Sequence, residues 1–133
     1  MVRFTGHFNR REANEIYSNC RVGIIIYQPI SNHIYSQPNK LFEYMAAGLP
    51  IVCSNFELWK EIVEDNNCGI CVDPTNSEDV RKACEYLVEH YEEGEQMGKN
   101  GRKAVETKYN WNQESVKLID LYKELLYGIQ KMQ

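Results

Sequence analysis

The chain of 133 residues has the length of one globular domain, and its 43% hydrophobic and 26% charged residues are ordinary for a folded protein. A formal net charge of −4 argues against a nucleic-acid partner, because binding to phosphate backbones needs a basic surface. No apolar run is long enough for a spanning helix, and residues 1–11 lack the apolar core of a signal peptide. These features predict a cytoplasmic protein.

Strands and helices alternate along most of the chain. The patterns predict strands at residues 2–5, 22–27, 50–54 and 69–72 and helices at 9–19, 39–47, 57–65, 77–91, 95–108 and 112–129. Asn9 and Ser77 are the predicted N-caps of two of these helices. The continuous apolar run at 22–27 is typical of a strand that is buried on both faces of a parallel sheet.

This order predicts an α/β fold. We expect a parallel, Rossmann-like sheet of about four strands with flanking helices, followed by a helical C-terminus. Ligands of such sheets bind outside the carboxyl ends of the strands. The loop at 29–38 and the turn at 6–9 are therefore expected to converge on the site.

The five cysteines are predicted to be reduced and mostly buried, because their number is odd and most of them lie in or beside apolar segments. Cys68 and Cys71 form a CxxC motif, but no second pair has the spacing of a zinc site. The motif also leads into a strand, whereas a redox motif begins a helix. We interpret these two residues as packing residues and predict no metal, since an Asp-x-Asp pair is also absent from the sequence.

The segment at 36–55, SQPNKLFEYMAAGLPIVCSN, combines a polar loop, a short helix and an apolar strand. Pro38 suits a helix start, and Gly48 suits the residue that follows a helix. The free N–H groups and the dipole of a helix start form an anion site. Glu43 lies one turn inside the helix, and a carboxylate beside an anion site fits a ligand that also carries sugar hydroxyls. The combination indicates a nucleotide; the alternative is a solvated helix glutamate.

These residues resemble the donor-binding segment of the GT-B glycosyltransferases, in particular of the retaining group 1 family. The matching residues are Pro38, Lys40, Glu43, Tyr44, Met45, Ala46, Ala47, Gly48, Pro50, Ile51 and Val52. The pattern continues with Glu61, Ile62, Val63, Asn67, Gly69, Val72, Asp73, Pro74, Gly101, Arg102, Tyr109, Asn110 and Trp111. The resemblance covers nearly the whole chain and corresponds to the C-terminal part of such an enzyme.

The resemblance implies that residues 1–133 are a single, partial nucleotide-sugar-binding domain. Such a domain has about six strands in the family, so we expect the first two strands and the N-terminal acceptor domain to be absent. The parent protein would be a hexosyltransferase that transfers a sugar from a nucleoside diphosphate donor to an acceptor hydroxyl, in glycan or polysaccharide biosynthesis. It would act in the cytoplasm, peripheral to the inner face of the membrane.

The resemblance also implies the roles of individual residues. Backbone N–H groups of Asn39, Lys40 and Leu41 would hold the diphosphate of a UDP or GDP donor, and Glu43 would accept hydrogen bonds from its ribose. Phe8 would flank the base, although a core or edge aromatic is an equal alternative, as is a solvated Lys40. No cofactor and no metal are expected, because helix starts and basic side chains can stabilise the leaving diphosphate.

The chain departs from the family pattern at the reacting sugar. Many retaining members carry a second glutamate eight positions before the ribose glutamate, where this sequence has Tyr35. The basic pair of the family lies upstream, and Arg3, Arg10 and Arg11 do not match it. Because this basic pair and the acceptor domain are both expected to be absent, we expect the isolated chain to be inactive. The alternative is a non-catalytic nucleotide-binding or assembly module with the same fold.

The last predicted helix has an unusually broad apolar face, on which Val116, Ile119, Tyr122 and Leu126 recur every three or four residues. In the family this helix packs on the N-terminal domain. Because that domain is expected to be absent, we expect a homodimer through this helix or an open sheet edge. The alternative is a monomer whose helix folds back over its own sheet. Trp111, at the start of the helix, is predicted to be a core residue.

Overall fold

The computed structural model describes residues 2–132, which form three strands and seven helices. In chain order these elements are α1 (Arg10–Ser18), β1 (Gly23–Ile25), α2 (Ser31–Ile34), α3 (Asn39–Ala46), β2 (Ile51–Ser54), α4 (Glu57–Asp65), β3 (Gly69–Val72), α5 (Ser77–Glu89), α6 (Tyr91–Thr107) and α7 (Trp111–Met132). The strands form one parallel sheet in the order β1-β2-β3, with Val52 paired to Ile24 on one side and to Ile70 on the other. The α/β class, the parallel sheet, the flanking helices and the helical C-terminus are confirmed.

The strand predicted at residues 2–5 is wrong, so the described sheet has three strands and not about four. Val2 and Phe4 are 80% and 94% exposed, and no described strand lies beside them. Valine, phenylalanine and threonine give this tetrapeptide strand propensity, but a strand is stabilised by the ladder and the side-chain pairs of a neighbour. Without that neighbour the segment stays irregular.

The core lies on both faces of the sheet, because successive side chains of a strand point to opposite sides. On one face, Trp59 of α4 is fully buried among side chains that include Leu41 and Met45 of α3. On the other face, Val52 packs with Leu87 of α5 and Met97 of α6. All four residues of β2 are buried, because helices cover both faces of the sheet at this central strand.

Two helix starts show how short polar side chains fix the element boundaries. Asn9 caps α1 as predicted, since its side chain accepts a hydrogen bond from the Glu12 N–H at 3.0 Å and the Glu12 carboxylate accepts one from the Asn9 N–H at 2.8 Å. The N-cap of α5 is Asn76, so the prediction of Ser77 is wrong. Asn76 has the extended backbone of a cap, and its side chain accepts from the N–H of Glu78.

The cysteines differ in burial: Cys71 and Cys84 are half-buried and Cys20 is exposed, so the prediction that most of the five are buried is wrong. Cys53 and Cys68 are buried, and the Cys53 Sγ lies 3.6 Å from that of Cys71 on the neighbouring strand. Burial raises the pKa of Cys68 to about 12, which keeps this thiol protonated and unreactive at neutral pH. The interpretation of Cys68 as a packing residue is confirmed.

The prediction of Trp111 as a core residue is wrong, because its side chain is 69% exposed. The apolar side chains of α7 behind it are exposed as well, and Val116, Ile119, Tyr122 and Leu126 are each more than half exposed. A periodic apolar pattern predicts that a helix has an apolar face, and it does not say what covers that face. None of the described helices combines the length and the apolarity that crossing a bilayer requires.

Candidate functional site

The loop that follows β1 is tied to the carboxyl ends of the strands. The Ser54 hydroxyl, at the end of β2, donates to the Tyr27 carbonyl at 2.9 Å and accepts from the Tyr27 N–H at 2.8 Å. Ser54 is fully buried, and these two hydrogen bonds satisfy the donor and the acceptor capacity of its hydroxyl group. The chain therefore leaves β1 in a fixed direction, toward the segment that carries α3.

Two further contacts hold the loop between β1 and α3. The Trp59 indole N–H donates to the Ser36 carbonyl at 2.6 Å. His33 packs its ring 4.8 Å from that of Tyr27, and its Nδ1 lies 2.9 Å from the Gln28 carbonyl oxygen. His33 therefore contacts its own loop. The loop also contains the short helix α2, where the sequence predicts only polar coil.

The start of α3 is exposed and keeps free backbone donors. Pro38 is the N-cap, one position before the first helical residue, with φ −74° and ψ 135°. The Leu41 N–H bonds to the Pro38 carbonyl at 3.1 Å, and the N–H groups of Asn39 and Lys40 precede the first helical bond. Asn39 and Lys40 are exposed, whereas the Leu41 side chain is fully buried. The Leu41 N–H is therefore already bonded within the chain, and the donors left for a ligand at this helix start are the N–H groups of Asn39 and Lys40.

The end of α3 is fixed by Gly48, which has the positive φ of +72° that the sequence predicts. Arg102 of α6 supports the same end, because its Nη1 donates to the Ala46 carbonyl at 2.5 Å. A cation at a helix C-terminus stabilises the helix through its dipole. The helix that presents Glu43 is thus held at both ends.

Glu43 lies in a cleft of about 570 Å³ between α1 and α3. Phe8, which is 42% exposed, lines the same cleft just ahead of α1. The structure therefore brings together Glu43 and Phe8, and it places Asn39, Lys40 and Leu41 outside the lining, at the helix start one turn away. The lining residues are Phe8, Asn9, Arg10, Ala13, Asn14, Tyr17, Ser18, Glu43, Ala46, Ala47 and Arg102.

The cleft contains a tyrosine that the sequence analysis missed. The Tyr17 hydroxyl of α1 donates a hydrogen bond to Glu43 Oε2 at 3.2 Å. Burial, and next the nearby Glu43 carboxylate, raise the pKa of Tyr17, while the Arg10 guanidinium acts in the opposite direction. Tyr17 therefore stays a protonated donor at neutral pH. Its half-buried position on α1 was readable from the helical period, but its partner lies 26 residues away and was not.

The electrostatic character of the cleft is mixed. Two guanidinium groups, of Arg10 and Arg102, and the Glu43 carboxylate all line it. Such a surface can accept hydrogen bonds from hydroxyl groups and can also attract an anion.

Tyr35 lies outside this cleft, at the position where the resemblance implies a second glutamate, eight residues before Glu43. Its side chain is 79% exposed at the end of α2. Among residues 2–132, no three His, Cys, Asp or Glu side chains converge as a set of metal ligands.

Comparison with known proteins gives a family match and several similar proteins. The family model of the glycosyl transferases group 1 matches residues 1–104. Uncharacterized glycosyltransferase MJ1607 of Methanocaldococcus jannaschii is 27% identical over 124 residues, which are 92% of this chain and 30% of that protein. Spore coat protein SA of Bacillus subtilis is 30% identical over 84 residues, or 62% of this chain and 22% of that protein. A sucrose synthase of Melioribacter roseus is 30% identical over 95 residues, or 68% of this chain and 12% of that protein.

A solved structure shows the same fold. Sucrose-phosphate synthase from Thermosynechococcus elongatus superposes with a TM-score of 0.79 at 23% identity, over 96% of this chain and 31% of that one. The chain thus spans less than a third of the length of each of these proteins. The match of the family model over more than half of the chain, together with this fold, shows that the chain belongs to the group 1 glycosyltransferase family.

Proposed function

We propose that this domain binds the nucleoside diphosphate part of a UDP or GDP sugar, which the whole protein transfers to an acceptor hydroxyl in glycan or polysaccharide synthesis. The observation that carries the proposal is the position of Glu43. Its carboxylate lines the α1–α3 cleft, one helical turn from the exposed start of α3. A ligand that bridges these two places can present hydroxyl groups to the Glu43 carboxylate and negative charge to the helix start.

The start of α3 supplies the anion side of this proposal. The N–H groups of Asn39 and Lys40 and the positive end of the helix dipole favour a diphosphate. The ammonium group of Lys40 adds a positive charge on an exposed side chain that is free to move toward the ligand. Helix starts and basic side chains can neutralise the charge on a leaving diphosphate without a metal, and we propose a metal-independent site.

The cleft supplies the nucleoside side. The half-buried carboxylate of Glu43 accepts hydrogen bonds and donates none, so it suits the two hydroxyls of a ribose. Phe8 offers an exposed aromatic face at the same cleft, where a base can stack. The cleft volume of about 570 Å³ is within the range of small-molecule sites.

Glu43→Ala is expected to weaken UDP and GDP binding by about 1.5–3 kcal/mol, the value of a hydrogen bond to a charged group. This corresponds to a rise in Kd of about 10- to 150-fold. Isothermal titration calorimetry on the wild type and the variant measures the change. Glu61→Ala is the matched control, since Glu61 is an exposed glutamate on α4, outside the cleft lining. Equal affinities of wild type and Glu43→Ala would remove Glu43 from the site.

We further propose that the described domain supplies the donor side only and that a separate acceptor domain completes the catalytic cleft. The isolated chain is then expected to release no UDP or GDP from a panel of nucleotide sugars, in a coupled assay with and without simple sugar acceptors. Enzyme-dependent release well above the blank would contradict this and would make the α3 helix start a sufficient catalytic clamp.

A non-catalytic binding module is the second candidate function. The exposed Tyr35 favours it, because a carboxylate is missing where many retaining members place one. The two functions differ in the full-length protein: the enzyme transfers sugar from a donor, whereas the module binds the nucleotide and leaves the donor intact. Sugar transfer by the full-length protein decides between them.

We also propose that the isolated chain forms a homodimer through α7. The side chains of Val116, Ile119, Tyr122 and Leu126 on this face are all exposed, and contiguous apolar surface is typical of interaction sites. The helix carries three acidic and three basic residues, so two copies do not repel each other electrostatically. These residues are Glu114, Asp120, Glu124, Lys117, Lys123 and Lys131. A second copy is therefore an acceptable partner for this face.

Ile119→Asp is expected to convert this dimer to a monomer, because it places a charge at the centre of the apolar face. Sedimentation equilibrium at micromolar concentrations measures the mass of both proteins. Asp120→Asn is the matched control, since Asp120 makes only an exposed ion pair with Lys123 on the same helix. A wild-type protein that sediments as a single species near 15.6 kDa would refute the dimer.

A further inference from the structure

We propose that Tyr17 is a positioning residue, which holds the Glu43 carboxylate in the orientation that receives the ribose hydroxyls. The inference rests on the proposed function of Glu43 and adds a residue of another helix to it. Tyr17 belongs to α1 and Glu43 to α3, and their side chains meet in the cleft through a hydrogen bond of 3.2 Å.

The chemistry of the two groups fixes the direction of this bond. A carboxylate only accepts hydrogen bonds, so the phenol hydroxyl is the donor. The Tyr17 hydroxyl bonds to Oε2, and the other carboxylate oxygen, Oε1, is left for a ligand. A phenol whose pKa is raised, first by burial and then by this carboxylate, remains protonated and keeps donating throughout the physiological pH range.

The Tyr17 ring is itself held from the sheet. It makes an edge contact with the ring of Tyr44, with centroids 5.4 Å apart and planes at 86°. Tyr44 in turn lies against Gly23 of β1, where a Cβ atom would stand 2.4 Å from the Tyr44 ring. Gly23 is fixed because its N–H donates to the Pro50 carbonyl at 2.9 Å. The hydroxyl of Tyr17 is therefore oriented by a series of contacts that begins in the central sheet.

The hydrogen bond from Tyr17 orders the Glu43 side chain before a ligand binds. A glutamate side chain has three rotatable bonds, and ordering it upon ligand binding reduces affinity. A carboxylate that is already held by Tyr17 avoids this cost. Loss of the hydroxyl is therefore expected to weaken the binding of ligands that contain ribose and to leave the binding of the diphosphate at the start of α3 unchanged.

The test is a double-mutant cycle with Tyr17→Phe, Glu43→Gln and the double variant, measured by calorimetry with UDP, GDP and inorganic pyrophosphate. Tyr17→Phe keeps the ring and its contact with Tyr44 and removes only the hydroxyl. We expect it to raise the Kd of UDP and GDP about three- to tenfold, and that of pyrophosphate not at all. In the Glu43→Gln background the same change is expected to add less than about twofold, because the two residues act as one unit.

A second readout is independent of any ligand. The ¹³C chemical shift of Tyr17 Cζ, assigned from its loss in Tyr17→Phe, follows the ionisation of the phenol. Because the Glu43 carboxylate raises the pKa of Tyr17, Glu43→Gln is expected to lower it. Far-ultraviolet circular dichroism of each variant confirms that the fold is retained.

The outcomes separate this inference from the proposed function. If neither nucleotide binds to the wild type, both proposals fall. If Glu43→Gln weakens nucleotide binding and Tyr17→Phe does not, the proposed function stands and the role of Tyr17 is refuted. The role is also refuted if Tyr17→Phe weakens pyrophosphate and nucleotide binding equally, if its effect is undiminished in the Glu43→Gln background, or if Glu43→Gln leaves the pKa of Tyr17 unchanged.

Discussion

Trp59→Ala is expected to lower the free energy of unfolding by about 3–5 kcal/mol, the usual cost of deleting a large aromatic side chain from a core. Trp59 is fully buried, and its ring lies 4.9 Å from that of Phe56 and 5.4 Å from that of Tyr27. The substitution also removes the indole donor of the Ser36 carbonyl, which anchors the loop between β1 and α3. The cavity and the lost hydrogen bond thus affect the segment that presents the candidate site.

Urea denaturation followed by far-ultraviolet circular dichroism measures this loss. Trp111→Ala is the matched control, because it deletes the same side chain from a position that is 69% exposed. Its effect is expected to stay within about 0.5 kcal/mol, as for most surface substitutions. Similar losses of unfolding free energy at the two positions would contradict the fully buried position of Trp59.

Gly98→Ala is the second substitution with a large expected effect. A Cβ atom at Gly98 of α6 would lie 2.0 Å from the carbonyl oxygen of Gly48, and this contact is with backbone, which cannot turn aside. The two segments would have to separate, and overpacking of this kind costs about 1–3 kcal/mol. Because a contact of 2.0 Å is severe, we expect a cost in the upper part of this range, which exceeds the gain of about 0.8–1 kcal/mol that alanine normally brings to a helix interior.

Gly128→Ala supplies the control of opposite sign. No atom lies within 4 Å of a Cβ at this position of α7, so the helix propensity acts alone. We expect Gly128→Ala to raise the free energy of unfolding by about 0.5–1 kcal/mol and Gly98→Ala to lower it. Thermal or urea denaturation of both variants checks the two signs. A Gly98→Ala protein as stable as the wild type would contradict the close packing of α6 on the end of α3.

The sequence predicts the elements whose signals are local. The bounds of α4 and β3 agree with the prediction, because an amphipathic period and a short apolar run are each complete within the segment. The start of α3 at Asn39 and the positive φ of Gly48 are also as predicted, since proline and glycine act on their own backbone. These elements determine where Glu43 lies relative to the sheet.

Features that depend on distant partners were not predictable in this way. The segment at 2–5 has strand propensity but no described neighbour, and it is irregular. Trp59 and Trp111 both stand beside apolar residues at helical spacing, yet one is fully buried and the other exposed. The difference lies in what each helix packs against, and a periodic pattern carries no information about that partner.

In the candidate site, too, the features with local signals were predictable and the contacts between distant residues were not. Glu43 was predictable from its spacing to the start of α3, and the structure adds that it shares a cleft with Phe8. The bonds of Tyr17 to Glu43 and of Arg102 to the end of α3 join residues that are 26 and 56 positions apart. Only folding brings these residues together. Their hydrogen bonds hold Glu43 and the end of α3 in place, which no sequence motif within α3 indicates.

The most direct test of the central claim is an amide NMR titration of the domain with UDP and GDP. If the nucleoside diphosphate binds as proposed, the shifts concentrate at Asn39 and Lys40, at Glu43, and at Phe8 across the cleft. The same titration of Glu43→Ala is then expected to need a higher ligand concentration for equal shifts. Absence of any shift at millimolar nucleotide, or shifts centred on the outer side of β3 near Ile70, would contradict the account.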